Sequence, residues 1–141
     1  MLGKGKRKVN NIDTLISANV EVAGDIHFSG GIQVDGKVRG NIVADAGTKG
    51  LLRISEHGVV KGEIHAPHVE INGHVEGDVY AGEHLELSPN ACITGDVYYT
   101  SIEMLRGAQV NGNLLHKEDG TLAQQSRNEQ DMPDNGEVLA P

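Results

Sequence analysis

Tryptophan is absent from this 141-residue chain, and other aromatics are scarce: one Phe and three Tyr. Basic residues are outnumbered, 12 Lys and Arg against 20 Asp and Glu, for a formal charge of −8. An acidic chain with so few rings lacks the basic grooves and stacking platforms that nucleic acid requires, so no nucleic-acid partner is expected. The single cysteine, Cys92, excludes a disulfide framework and a thiolate zinc centre, and it fits a reducing compartment. No apolar run approaches the roughly 20 residues that span a bilayer as a helix. The opening is basic, with Lys4, Lys6, Arg7 and Lys8, but Val9–Ser17 mixes polar and apolar residues. It lacks the unbroken apolar stretch of about 7–15 residues that marks a secretory signal, and a cytoplasmic location is expected.

Charge is distributed unevenly. Residues 1–14 carry four basic residues and one acid, residues 15–115 six and thirteen, and residues 116–141 two and six. The stretch from Lys117 to Pro141 is rich in Gln, Asn, Asp and Glu and shows no apolar period. Such a segment cannot bury enough apolar surface to offset its ordering entropy. Residues 1–14 and 117–141 are therefore expected to be disordered tails around a folded region, 15–116.

What the chain has in excess is glycine, 19 residues, nearly twice the background of about 7%. Six of them sit in one recurring pattern: apolar, any residue, Gly, then Asp, Asn or Glu, then apolar. The glycines are Gly24, Gly40, Gly62, Gly77, Gly95 and Gly112, at spacings of 16, 22, 15, 18 and 17. Between them falls a second pattern, apolar-any-apolar: Ile32 to Val34, Leu52 to Ile54, Val69 to Ile71, Leu85 to Leu87 and Ile102 to Met104. Alternation over so few residues predicts short half-buried strands, and no helical period runs through 15–115.

A unit of about 17 residues with three short strands buries almost nothing by itself, but stacked units share one core. The pattern therefore predicts a single-stranded β-helix of about six coils, roughly 30 Å long at ~4.8 Å per coil. Val, Ile and Leu point inward, and the repeated glycines serve as structural bends where coils approach closely. The Asp, Asn or Glu after each Gly is placed to cap its bend. An antiparallel sandwich with Gly turns is the competing reading; six recurrences at near-constant spacing weigh against it. The long interval holds Asp45-Ala-Gly47-Thr-Lys49-Gly50, read as a loop inserted into one coil. Spacing does not determine the hand of the helix.

The ordered motifs resemble the bactofilins. The resemblance rests on TLIS…V.V.GDI.F.G.I.VDG.V.GNI (Thr14 to Ile42), V.I.G.V.GDV.A…LEL…A.ITGDV (Val69 to Val97) and SIE…GA.V.GNL (Ser101 to Leu114). It covers the whole predicted folded region. It implies a right-handed triangular β-helix between flexible tails and nucleotide-independent filaments. It also implies membrane association at the inner face of the cytoplasmic membrane, and roles in cell shape exerted through cell-wall enzymes or membrane proteins.

Polymerisation also follows from the coil itself. A β-helix ends in two open edges with unpaired backbone groups, which natural folds cover or blunt. Neither flank here contains a capping helix or an amphipathic strand, so the ends are expected to meet other ends, and contacts that do not close into a ring make filaments. Val20, Val22, Ile26 and Phe28 are assigned to one interface, with plain core as the other reading of Phe28. Ile102, Met104, Val110 and Leu114 are assigned to the other interface. A membrane tag is read at Met1, Leu2, Lys4, Lys6, Arg7 and Lys8. Each cation contributes about 1 kcal/mol near an anionic leaflet and each inserted apolar side chain about 1–3 kcal/mol, so one tail is a weak anchor and a filament displaying many is an effective one.

Enzymatic readings find less support. β-Helix acyltransferases use a strict hexapeptide repeat and a catalytic His, and the spacings above are not multiples of six. His27, His57, His65, His68, His74, His84 and His116 are read as outward positions; stacking could bring His65 near His84, but no metal site is assigned. No phosphate-cradling Gly loop is present, and no nucleotide or other cofactor is expected. Tyr80, Tyr98 and Tyr99 can form a small outward patch. The sequence thus reads as a non-enzymatic, membrane-associated polymer, with a non-filamentous scaffold and a β-helix enzyme as alternatives.

Overall fold

Alternation of Val, Ile and Leu with polar residues, interrupted every few residues by Gly, Asp or Asn, gives strands too short to form a conventional sheet. The computed structural model describes residues 12–117 and resolves them into sixteen strands and no helix. The first coil holds β1 (Thr14–Ile16), β2 (Glu21–Ala23) and β3 (Ile26–Phe28); the second holds β4 (Gly31–Val34), β5 (Lys37–Arg39) and β6 (Ile42–Ala44). The third runs through β7 (Leu51–Ile54) and β8 (Val59–Lys61) into β9 (Ile64–Ile71), which turns a corner and opens the fourth coil. That coil continues with β10 (His74–Glu76) and enters β11 (Val79–Leu87), which likewise opens the fifth coil, completed by β12 (Cys92–Thr94) and β13 (Val97–Tyr99). The sixth holds β14 (Ile102–Met104), β15 (Gln109–Asn111) and β16 (Leu114–His116).

Every pairing joins equivalent strands of successive coils in parallel, which makes the predicted solenoid of about six turns. Three ladders result. The first stacks Ile16, Val34, Ile54, Ile71, Leu87 and Met104 in register. The second stacks Val22, Val38, Val60, Val75, Ile93 and Val110. The third stacks Ile26, Ile42, Ile64, Val79, Val97 and Leu114. The middle members of each ladder are fully buried, and no charged or polar side chain is buried among the described residues. Each buried branched side chain contributes about 1.5–3 kcal/mol by leaving water.

The repeated glycines form a column. A Cβ on Gly40, Gly62, Gly77, Gly95 or Gly112 would strike the carbonyl of the glycine one coil earlier. Gly77 and Gly95 also hold φ near +149° and +148°, which side chains with a Cβ rarely adopt. In four of the six repeats the residue after Gly reaches forward to the next coil, where it satisfies a backbone N–H. Asp25 Oδ1 accepts from Asn41 N (2.8 Å), Asn41 Oδ1 from Glu63 N (2.9 Å), Asp78 Oδ1 from Asp96 N (2.9 Å) and Asp96 Oδ1 from Asn113 N (3.1 Å). The expectation of a cap within its own bend is corrected: the side chain is a tie between coils. Two differ: Glu63, whose longer carboxylate turns to His65 Nε2 at 3.0 Å, and Asn113 in the last described coil, which bonds back to Asp96.

Within residues 45–50, between β6 and β7, Asp45 N still donates to the Phe28 carbonyl and the Gly50 carbonyl accepts from His68 N, while 46–49 leave the stack and the ladders continue in register on both sides. They are an inserted loop. The membrane residues read at Met1, Leu2, Lys4, Lys6, Arg7 and Lys8, and nearly all of both tails, lie outside the described residues.

The glycine column makes a direct prediction. Gly77→Ala combines backbone strain with a clash against Gly62 and is expected to lower unfolding stability in urea by about 2–5 kcal/mol. Asp96→Ala removes one exposed tie and should cost about 1 kcal/mol. Equal losses in the two variants, followed by circular dichroism, would contradict a steric role for the column.

Candidate functional site

The first and last coils differ from the four between them because each has a partner on one side only. β1, β2 and β3 pair only with β4, β5 and β6, and β14, β15 and β16 only with β11, β12 and β13. Among the described residues, the outer edge of each end coil thus presents backbone groups that no neighbouring strand engages.

Side chains follow the same division. The exposed large hydrophobic residues among those described are Leu15 (57%), Val20 (43%), Met104 (43%), Leu105 (37%) and Leu114 (44%). All five fall in the two end coils. Of the residues assigned to the ends from sequence, Val22, Ile26 and Phe28 are partly buried and packed on the core in the first coil, as are Ile102 and Val110 in the last. Val20, Met104 and Leu114 are exposed. Leu15 and Leu105 were missed, because each stands outside the inward alternation and carries no repeat signal. Phe28 is both partly buried and terminal: its ring lies against Gly50 and Ala44 in the second coil.

The outward positions make ladders as well. On the third face His65 stacks on Tyr80 (ring centroids 4.3 Å, planes 8° apart) and Tyr80 on Tyr98 (4.6 Å, 1°). Tyr99 is not part of this patch; it packs on the core, beside His116 at 5.5 Å. His116 shares the register column of Tyr99 but stays exposed in the last described coil, where its Nε2 donates to the Thr100 carbonyl at 3.1 Å. His65 and His84 are also not neighbours. The register pairs His84 with His68, because one residue (Pro67) rounds the corner in β9 and two (Gly82, Glu83) round it in β11.

Paired charges are few. Arg53 holds Glu70 at 2.9 Å, and Arg39 meets Glu21 at 2.5 Å between largely exposed side chains. Such pairs are worth at most about 1 kcal/mol each in water. Asp35 is held below the ordinary carboxylate range by hydrogen bonds from Ser55 and Gln33. No helix of the described residues is long and apolar enough to cross a membrane.

The solenoid with two unpaired apolar ends agrees with what comparison of the chain finds. Residues 14–115 match the family model described as "Bactofilin: Polymer-forming cytoskeletal". Among curated proteins, the chain is similar to bactofilin BacO of Myxococcus xanthus (strain DK1622), 29% identical over 102 residues, covering 72% of this chain and 78% of the relative. No solved structure matches. The family match spans nearly every strand from β1 to β16, and the chain belongs to the bactofilin family.

Proposed function

We propose that this chain assembles end to end into filaments, without nucleotide, and that the filaments act as a membrane-associated scaffold and not as an enzyme. The observation that carries the reading is the confinement of exposed Leu15, Val20, Met104, Leu105 and Leu114 to the two coils whose backbone edges are open. Stacking one chain on another buries the inward Met104 and Leu114 against a further coil and supplies hydrogen-bond partners to both edges, as the interior coils do for one another. The surfaces that meet are Val20, Val22, Ile26 and Phe28 at one end and Ile102, Met104, Val110 and Leu114 at the other. A coil-on-coil contact does not close on itself, so it propagates.

The basic opening Met1, Leu2, Lys4, Lys6, Arg7 and Lys8 supports attachment to an anionic membrane surface, strengthened by the many copies that a filament displays. The acidic body is poorly suited to meet such a surface itself. Cell-wall enzymes or membrane proteins are the partners consistent with a scaffold at that location, the inner face of the cytoplasmic membrane.

Leu114→Lys and Val20→Lys, both at exposed positions, should keep the circular dichroism spectrum and convert pelleting filaments into short soluble species in sedimentation and negative-stain microscopy. Unchanged filaments in both variants would overturn the end assignment. Deletion of residues 2–8 should leave filaments intact and release them from anionic liposomes in a flotation assay. Liposome binding that survives the deletion would place the membrane contact elsewhere.

A further inference from the structure

One outward position of the first face has the residue order Leu15, Gln33, Arg53, Glu70, Glu86, Glu103 from coil to coil. Three glutamates thus stand in consecutive coils, about 4.8 Å apart by strand spacing. Like charges directly opposite each other on neighbouring strands destabilise a sheet. Arg53 neutralises only the first of the three, Glu70. Among the described residues neither Glu86 nor Glu103 has an ion-pair partner. The alternation of β11 then adds His84, two residues before Glu86 on the same outward side. One ligand atom from each of His84, Glu86 and Glu103 lies within 4.8 Å of the others.

We infer that His84, Glu86 and Glu103 bind one divalent transition-metal ion, of the zinc class, which joins the fifth coil to the sixth. One imidazole nitrogen and two carboxylate oxygens form a donor set suited to zinc, with a fourth position left to water. Ligand atoms around such an ion sit about 3.4 Å apart, given bonds of about 2.1 Å, so the three groups, already within 4.8 Å of one another, draw together to close the site. His84 is already held by its other nitrogen: Nδ1 meets Ser101 Oγ at 2.9 Å, which leaves Nε2 to ligate. This is the arrangement in which a neighbouring group fixes the ring of a metal-bound histidine. The ion-paired histidines differ, since His57, His65 and His68 each meet one carboxylate, from Glu56, Glu63 and Glu83. The ion replaces repulsion between Glu86 and Glu103 with a shared ligand bond. It thereby secures β14, the strand that carries Ile102 and Met104.

The test uses the full chain and zinc chloride, with isothermal titration and thermal unfolding. The wild type should bind one zinc ion per chain and unfold at a higher temperature with zinc than with chelator. His84→Ala and Glu103→Gln should each weaken binding by about ten-fold or more, and Ser101→Ala by about ten-fold as a positioning residue. His57→Ala, on an exposed bend, should leave affinity unchanged. Without metal, Glu103→Gln should unfold at or above the wild-type temperature, because it removes like-charge repulsion; a variant that merely damaged the fold would unfold lower. Zinc affinity unchanged in both His84→Ala and Glu103→Gln would overturn the site. So would binding that His84→Ala leaves intact and calcium reproduces, since that would mark simple attraction to carboxylates.

Discussion

A coil of about 17 residues has no inside of its own. Its backbone N–H and C=O groups point along the solenoid axis, and its Val and Ile side chains meet their equivalents above and below. Every coil therefore needs two neighbours, and buried backbone groups left without partners cost on the order of 1–3 kcal/mol each. Coils two to five satisfy that need within the chain. Among the described residues, the first and last have a neighbour on one side only. The same constraint that makes the interior stable leaves the ends unsatisfied, and the exposed apolar residues collect there.

The glycine column belongs to this constraint. Coils stacked at strand spacing leave no room for a Cβ where one bend rests on the carbonyl of the previous bend. The Asp and Asn side chains beside that column then tie neighbouring bends through backbone N–H groups. Sterics exclude other residues at the glycine, and hydrogen bonding selects short acceptors next to it. Where the acceptor is Glu63, the chain is one methylene too long for the same role and serves His65 instead.

The features legible in the sequence were those that repeat: the six glycines and the inward Val, Ile and Leu, against which the loop at 45–50 shows as the one long interval. Each is visible because a single coil's chemistry recurs at the next. Neighbours across the outer faces were harder to read, because they depend on how many residues round each corner. A corner of one residue in β9 and two in β11 shifts the register, so that Tyr80 lies over His65 while His84 lies over His68. A fixed spacing does not predict both pairs. Phe28 and Tyr99 show the complementary limit. Both stand on an inward column beside Ala44 and Ala81, where the coils are tight, and the larger rings fit only toward the ends.

The loop at residues 45–50 separates two properties that most folds keep linked, chain length and shape. Six residues join β6 to β7 where two join β3 to β4, yet the strands on either side keep their partners. Added length at that corner alters neither the rise of the stack nor its cross-section. A corner of this kind can accept foreign peptide as a handle, decorating the outside of a rod while its axial repeat stays the same.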